Sequence, residues 1–273
     1  MTINCKGKLI DLSTPKVMGV LNLTPDSFYD GGKFRSSSDI LRQTEKMLTE
    51  GATFIDVGGY SSRPGADDVS LEEETRRVIS VIELLVKTFP QILISIDTFR
   101  SVVARKSVDA GACIINDISA GHRDKKMLDT VAELSVPYIM MHSRGTPKTM
   151  QKQTTYQNLI KDILFYFSER IEKARQLGIV DLIIDPGFGF AKTIEQNFEL
   201  LSKLELLKIV DLPTLIGMSR KSMIYKTLDT TSENALNGTS VLNTIALTKG
   251  AQILRVHDVK EAIECIKLTS RLY

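Results

Sequence analysis

The sequence predicts a single (β/α)8 TIM barrel preceded by a short β-hairpin. Along its 273 residues, eight short runs of β-prone residues alternate with segments that have helical periodicity. Most of the runs are apolar throughout, as strands buried on both faces of a parallel sheet are. No Pro/Gly/Ser-rich linker and no change in composition divides the chain, so we expect residues 1–273 to form one domain.

The predicted strands are short and end in polar or glycine-containing segments. They cover residues 17–21, 54–57, 92–96, 113–116, 138–141, 182–184, 214–217 and 253–256. Ahead of them, residues 3–12 have the pattern of a hairpin with Gly7 at its centre. We expect this hairpin to close the bottom of the barrel.

Cap residues mark several of the helices between the strands. Ser70 and Glu73 have the spacing of a capping box, and the same spacing recurs from Asp258 at the last helix. Residues 156–177 have helical periodicity and are followed by Gly178, where a C-terminal cap is expected.

A doubly wound open sheet is the competing fold. Such sheets usually carry a glycine-rich fingerprint after the first strand. Here residues 22–26 read Asn-Leu-Thr-Pro-Asp, which favours the barrel. Residues 187–192 contain two glycines and a lysine, but they match neither the dinucleotide fingerprint nor the Walker loop.

Charge and cysteine content exclude several classes of protein. The 35 Lys and Arg residues nearly balance the 33 Asp and Glu residues, so nothing predicts a nucleic-acid partner. The three cysteines show no zinc or disulfide spacing. The N-terminus lacks the apolar region of a secretory signal, and no apolar run is long enough to span a membrane. We expect a cytoplasmic protein without a membrane partner.

Polar residues follow every predicted strand, where barrel enzymes place their active sites. For any single position, a solvated turn is the more common explanation. Asp97, Asn116 and Asp185 favour function more strongly, because each follows apolar residues and a lone buried polar group is costly. The polar residues at the strand ends are Asn22, Ser62, Arg63, Asp97, Asn116, Asp117, His142, Asp185, Arg220, Lys221, Arg255 and His257.

Basic residues cluster after the last two predicted strands. Arg220, Lys221, Arg255 and His257 lie there, and Arg63 could converge on them from the second strand. Barrels often bind phosphate at this position, so the cluster predicts an anion site. The alternative is that Arg220 and Lys221 are solvated residues at a helix start.

Acidic and amide side chains form a second group. Asp97, Asn116 and Asp185 could read the edge of a flat heterocycle such as a pterin or purine, since a carboxylate accepts two parallel N–H bonds. A metal site or a general acid–base pair are the alternatives for two aspartates in one pocket.

Two loops on the same face are rich in turn residues and carry aromatic side chains. They cover residues 24–32 and 58–65. We expect them to close over a substrate. The alternative is that they are ordinary connections.

Motifs along the whole chain resemble those of one family. Residues 18–28, followed by Asp-Gly-Gly at 30–32, closely resemble the opening signature of the dihydropteroate synthase family. Further matches occur in order at residues 61–65, 96–98, 115–118, 141–147, 185–190, 219–222 and 255–258.

The resemblance implies a pterin-binding barrel, usually a homodimer, that acts as a transferase in folate biosynthesis. The implied reaction condenses (7,8-dihydropterin-6-yl)methyl diphosphate with 4-aminobenzoate to give 7,8-dihydropteroate and diphosphate. The implied metal is Mg²⁺.

The resemblance also implies roles for individual residues. The implied catalytic residues are Asp30, Asp97, Lys221 and Arg255. Pterin contacts are implied for Asp97, Asn116, Met140, Asp185, Phe190, Gly217 and Lys221. Diphosphate contacts are implied for Asn22, Arg63, Arg255 and His257, with Asn22 as the metal ligand. The implied 4-aminobenzoate pocket contains Phe28, Ser62, Pro64, Lys221 and Ser222.

Several positions depart from the usual family pattern. Tyr60 stands where glutamate is more common, Ser62 where threonine is, and Ala191 where glycine is frequent, and Ser143-Arg144 also differs from the commoner sequence. None of them removes an implied catalytic group, but they could alter the 4-aminobenzoate pocket and the response to sulfonamides.

Two other functions compete with the implied one. A methyltetrahydrofolate methyltransferase also binds a pterin in a barrel, but it has no diphosphate to release. The basic motifs at residues 219–222 and 255–257 therefore argue against it. A non-catalytic pterin-binding protein is the second alternative, and the retained Asn22 and Arg63 argue against that one.

Overall fold

The computed structural model describes residues 1–23, 36–60 and 69–272. The strands within these ranges are β1 (Thr2–Cys5), β2 (Lys8–Asp11), β3 (Lys16–Asn22), β4 (Phe54–Gly58), β5 (Ile94–Asp97), β6 (Ile114–Asp117), β7 (Tyr138–Met141), β8 (Leu182–Asp185), β9 (Leu215–Ile216) and β10 (Ile253–Val256). The α-helices are α1 (Ser37–Thr49), α2 (Leu71–Thr88), α3 (Ser101–Ala110), α4 (Met127–Leu134), α5 (Leu159–Gln176), α6 (Ile194–Ser202), α7 (Ser222–Tyr225), α8 (Leu236–Thr248) and α9 (Val259–Thr269).

Strands β3 to β10 form a nearly closed parallel barrel. Their order is β8-β7-β6-β5-β4-β3-β10-β9, and every pairing is parallel. A single bridge between Ile184 and Thr214 joins the two edge strands. The predicted (β/α)8 barrel is therefore confirmed. The weakest prediction is that for residues 214–217, of which only Leu215–Ile216 form a strand.

The N-terminal hairpin covers the bottom of the barrel. Lys6 and Gly7 both have positive φ, as a two-residue hairpin turn with the favoured twist requires. The inward side chains of β1 and β2 pack against residues near the strand starts, such as Phe54. The Asn4 N–H donates to Asp181 at 2.9 Å, just ahead of β8. These contacts confirm that the hairpin closes this end.

The helix caps agree only in part with the sequence. The Ser70 hydroxyl accepts a bond from the Glu73 N–H at 3.1 Å, but the Glu73 carboxylate binds arginines one turn further along α2. Asp258 precedes α9 without capping it, because its carboxylate binds Arg220. The capping-box prediction is therefore half right for α2 and wrong for α9.

The long helix ends as predicted. α5 begins after Asn158, whose side chain accepts from the Lys161 N–H at 3.0 Å. Gly178, two residues past its last turn, has a φ of +81°, which a glycine adopts without strain. Within the described parts of the chain, none of the helices combines the length and apolar character needed to cross a membrane.

Candidate active site

The C-terminal ends of four neighbouring strands bring predicted residues into one row. Asn22 is paired in register with Gly58, Gly58 with Asp97, and Asp97 with Asn116. A Cβ at Gly58 would lie 3.5 Å from the Asp97 Cβ and 3.8 Å from the Asn22 Oδ1. The missing side chain thus leaves space between Asn22 and Asp97 at the mouth of the barrel.

Arg255 on β10 bridges two carboxylates from other strands. Its Nε donates to Asp56 at 2.6 Å and its Nη2 donates to Asp97 at 2.8 Å. Asp56 is completely buried and also accepts from the Asn116 Nδ2 at 3.2 Å. One buried carboxylate therefore positions both the arginine and the amide.

The charges in this cluster shift one another's pKa values. Burial raises the pKa of Asp97 to about 7, although the Arg255 guanidinium opposes the shift. Burial disfavours the charge on Arg255, but the Asp56 and Asp97 carboxylates hold its pKa above the usual value. Arg255 stays charged, whereas Asp97 titrates near neutrality.

Asp185 and Lys221 form the other half of the site. The Asp185 carboxylate accepts from the Gly187 N–H at 2.7 Å. The Lys221 Nζ donates to the Phe188 carbonyl and lies 4.9 Å from the Phe190 ring centroid. Burial raises the pKa of Asp185, and it lowers that of Lys221 to about 8 against the opposing charge of Asp185.

Gly217 lies between the two halves. A Cβ there would be 3.9 Å from the Arg255 Cβ and 4.0 Å from the Lys221 Nζ. Met140 is fully buried in β7 and is paired with Ile184 on β8. Gly217 thus leaves space between Arg255 and Lys221, whereas Met140 packs in the apolar core and its predicted pterin contact stays a prediction.

His257, which the sequence predicts to bind an anion, contacts Ser219 on the loop after β9. The His257 Nδ1 lies 3.0 Å from the Ser219 Oγ, which also accepts from the His257 N–H at 3.2 Å. Ser222 begins the short helix α7, directly after Lys221.

Arg220 does not belong to the anion site, and this prediction is wrong. Its Nε and Nη2 donate to the Asp258 carboxylate at 2.8 Å each, and its Nη1 donates to the carbonyls of Ser232 and Glu233. The guanidinium is buried and occupied by these partners. Arg220 therefore fixes the loop after β9 to the start of α9.

Two other polar residues at strand ends are structural. Asp117 is fully buried and accepts from the Tyr138 hydroxyl at 2.7 Å and from the Ser119 and Gly121 N–H groups. His142 is 1% exposed, and its Nδ1 lies 3.0 Å from the Lys192 Nζ. Neither side chain reaches the opening.

Several predicted residues lie outside the described ranges. They are Phe28, Asp30, Ser62, Arg63 and Pro64. Their predicted roles in catalysis, diphosphate binding and the 4-aminobenzoate pocket stay predictions, as does loop closure.

Asp56 is a residue of the site that the sequence did not predict, because it lies within the predicted apolar strand 54–57. Its signal is a carboxylate inside the buried run 54–57. A charged residue inside a strand buried on both faces requires a partner, since an unpaired buried charge is strongly destabilising. That partner, Arg255, lies 199 residues further along the chain.

The donor set limits how a magnesium ion could bind. Asn22 offers one amide oxygen at the barrel mouth, and the described residues include no group of three or more acidic, histidine or cysteine side chains that could hold a metal. Mg²⁺ often takes one or two protein oxygens and completes its shell with phosphate and water. Within residues 1–23, 36–60 and 69–272, Asn22 thus suits a Mg²⁺ ion whose remaining ligands are phosphate and water.

Tyr60, one of the unusual residues, belongs to a cluster of aromatic and cationic side chains. Its ring meets Phe99 edge-on with centroids 5.0 Å apart. The guanidinium carbons of Arg100 and Arg123 lie 5.6 and 5.8 Å from its ring centroid. Cation–π contacts of this kind replace the ion pairs that a glutamate could make.

Comparison with known proteins gives matches over nearly the whole chain. The family described as pterin binding enzyme matches residues 18–257. The dihydropteroate synthase of Escherichia coli (strain K12) is 44% identical over 270 residues, covering 98% of this chain and 95% of that protein. The Synechocystis dihydropteroate synthase is 45% identical over 260 residues, covering 94% and 90%. A Yersinia pestis dihydropteroate synthase structure with a sulfonamide drug complex has a TM-score of 0.95 at 42% identity, covering 100% and 99%.

Ala191, another unusual residue, is buried with a left-handed φ of +49°. A residue with a Cβ destabilises the folded protein by roughly 1–2 kcal/mol in that conformation. A glycine avoids this strain, but it stabilises the unfolded chain by about 0.4–1 kcal/mol through its greater conformational entropy. We expect Ala191→Gly to raise the free energy of unfolding by up to about 1 kcal/mol in urea denaturation. The control Ala104→Gly, inside α3, should lower it by about 1 kcal/mol or more. A loss in both variants would contradict strain at Ala191.

Proposed function

The chain belongs to the dihydropteroate synthase family, the pterin-binding transferases of folate synthesis, and from that premise we propose the reaction it performs. It joins 4-aminobenzoate to (7,8-dihydropterin-6-yl)methyl diphosphate and releases diphosphate. The observation that carries this proposal is the pairing of two acid–base clusters at one barrel mouth. Asp97 with Arg255 forms one cluster, and Asp185 with Lys221 forms the other.

The pterin ring is held by the acidic and amide side chains. Asp97 and Asp185 accept N–H bonds from the ring, and Asn116 offers both a donor and an acceptor. Asp56 fixes the Asn116 amide through its Nδ2, which leaves the amide oxygen to accept from the ligand. Gly217 leaves room for the ring between the two halves of the site.

The reaction moves charge in two directions. The bond between the pterin methylene carbon and the diphosphate oxygen breaks, and the electron pair of that bond leaves with the diphosphate. The amine nitrogen of 4-aminobenzoate bonds to the methylene carbon and loses a proton, which the released diphosphate takes up. Positive charge that develops on the ring is stabilised by the Asp97 and Asp185 carboxylates in a site that burial shields from water. No covalent bond to the protein is required.

The leaving diphosphate meets the basic side of the site. Among the described residues, Arg255 uses two of its N–H groups on carboxylates, so its other donors can face an anion. His257 and Asn22 lie at the ends of neighbouring strands and complete this side. Bound Mg²⁺ would neutralise diphosphate charge, with Asn22 as its protein ligand. Lys221 and Ser222 border the 4-aminobenzoate position.

Diphosphate release tests the proposed function. The protein, mixed with Mg²⁺, 4-aminobenzoate and the dihydropterin diphosphate, should release diphosphate only when both organic substrates are present. Asp185→Asn should weaken pterin binding by about tenfold or more, because an N–H₂ group then faces ligand N–H groups. Calorimetry with the pterin substrate measures this loss.

The matched control is Asp181→Asn, at the opposite end of β8, where the carboxylate accepts from Asn4 in the hairpin. It should leave pterin affinity unchanged. Pterin binding without diphosphate release would overturn the enzymatic proposal. Unchanged affinity in Asp185→Asn would overturn only the placement of Asp185.

Pterin affinity should depend on pH on both sides of neutrality. Asp97 is ionised above its pKa of about 7, so affinity should fall as the pH drops below that value. Lys221 is charged below its pKa of about 8, so affinity should also fall as the pH rises above it. Asp97→Asn should reduce the acidic limb to the part that comes from Asp185, whose pKa burial also raises. Arg76→Met on the surface of α2 should keep both limbs unchanged. A wild-type affinity that is flat across this range would contradict the assignment.

We also propose that the protein is a homodimer and that α8 forms part of the interface. This helix buries Leu242 and Ala246 against the protein, yet Val241 is 51% exposed and Ile245 is 36% exposed on its outer side. A helix that is apolar on both sides is typical of one that is covered on both sides. A second copy of the chain is the partner that the family resemblance implies.

Light scattering after size exclusion tests the dimer. The wild-type mass should correspond to two chains, and the double variant Val241→Asp with Ile245→Asp should give one chain. The control double variant Leu177→Asp with Val180→Asp changes exposed apolar residues after α5 and should stay dimeric. A monomeric wild type would refute the proposal.

A further inference from the structure

A buried lysine lies just beyond the pterin side of the site. Lys192 is 3% exposed, and its Nζ contacts three polar atoms. The Gly187 carbonyl accepts at 2.9 Å, the Phe190 carbonyl accepts at 3.0 Å, and the His142 Nδ1 lies at 3.0 Å. These atoms occupy all three N–H groups of an ammonium.

The backbone bonds of Lys192 do not depend on its protonation state. Burial lowers the pKa of Lys192 to about 7, and the Asp185 carboxylate opposes the shift. The charges of Lys221 and Arg144 add to it. Burial also lowers the pKa of His142 well below its ordinary value, so the imidazole is neutral. A neutral amine still donates to both carbonyls and can accept from an Nδ1–H.

The two carbonyls belong to one tight turn that directly follows β8. The Phe190 N–H donates to the Gly187 carbonyl at 3.1 Å, which closes the turn. The outer atoms of the turn contact the site. The Gly187 N–H binds the Asp185 carboxylate, the Phe188 carbonyl accepts from Lys221, and the Phe190 ring lies beside the same ammonium. The Lys192 amine therefore fixes the turn at residues 187–190, and the same turn binds Asp185 and Lys221.

This turn has other anchors, so removing the amine should not unfold it. The Gly189 N–H donates to the Asn197 Oδ1 at 2.7 Å, and the Tyr156 hydroxyl donates to the Ala191 carbonyl at 3.0 Å. α6 then begins with a complete capping box. A change at Lys192 should act on alignment more than on the fold.

We propose that Lys192 is a positioning residue for the transferase reaction: by clamping the carbonyls of Gly187 and Phe190, it aligns Asp185 and Lys221 with the pterin ring. It does not touch the substrate. The inference rests on the proposed pterin-binding role of Asp185 and Lys221. It assigns the alignment of these two residues to Lys192, which bonds the carbonyls of the turn rather than the substrate.

Kinetics and calorimetry on three variants test the clamp. Lys192→Met keeps the length of the side chain but removes every donor, so the KM and Kd for the pterin diphosphate should rise about tenfold. The KM for 4-aminobenzoate should rise by a smaller factor, because Lys221 is the one described neighbour of that substrate that is bonded to the turn. Lys192→Gln retains an N–H₂ group that can bind two carbonyls, so it should restore part of the affinity. His142→Gln leaves both carbonyl bonds intact and should have nearly wild-type affinity.

The outcomes separate alignment from stability. Lys203→Met is the control. Lys203 lies on the surface directly after α6 and pairs with Glu199, so this variant should match the wild type in every assay. If Lys192→Met lowers only the unfolding temperature and leaves the pterin KM and Kd unchanged, the clamp is refuted. If Lys192→Met does not fold, the order of Kd values for Lys192→Gln, His142→Gln and the wild type decides the question. Loss of affinity in His142→Gln equal to that in Lys192→Gln would overturn the proposal. A wild-type protein that neither binds nor converts the pterin substrate would instead overturn the proposed function.

Discussion

The site depends on one arginine held between two carboxylates inside the mouth of the barrel. Arg255 reaches from β10 to Asp56 on β4 and Asp97 on β5, across the intervening strand β3. Asp56 is fully buried and Asp97 is partly buried, and two neighbouring acids in such a setting need a cation to stay charged. The partly buried guanidinium of Arg255 likewise needs acids as partners. The Arg255 guanidinium and the two carboxylates therefore stabilise one another's charged forms. Because Asp56 also binds Asn116, one ion-pair network orients residues from four strands.

A shifted pKa does not by itself mark a functional group in this protein. Burial raises the pKa of Asp117 as it does those of Asp97 and Asp185. The difference lies in the partners. The oxygens of Asp117 accept hydrogen bonds from the Tyr138 hydroxyl and from backbone N–H groups of its own loop. Asp97 shares its charge with an arginine at the open end, where a ligand can enter. Burial raises the pKa of all three aspartates, so the position and partners of each carboxylate, not its pKa, distinguish the site residues from Asp117.

The sequence was sufficient for the barrel and for the residues at strand ends, because parallel topology brings every strand end to one face. Asp97 could be found in this way without any knowledge of its partner. Arg220 and Lys221 could not be distinguished, since they are neighbours in the sequence. A left-handed backbone at Arg220 and a partner 38 residues away, Asp258, direct that side chain away from the site. Asp56 was hidden within a strand because its partner is visible only in three dimensions.

The turn after β8 lies beside the shortest strand pairing in the barrel, which is the one between β8 and β9. Strands β8 and β9 are connected by a single bridge, between Ile184 and Thr214, whereas the other neighbouring strands share longer registers. At the upper end of this seam, Lys221 from the β9 side donates to the Phe188 carbonyl on the β8 side. The charge of Lys221 also opposes the raised pKa of Asp185 across the same gap. Lys221, which is proposed to contact the pterin, is thus also a residue that joins the β9 side to the β8 side. Asp185 is tied to the same turn through the Gly187 N–H, so the precision of this half of the site depends on how firmly that turn is held.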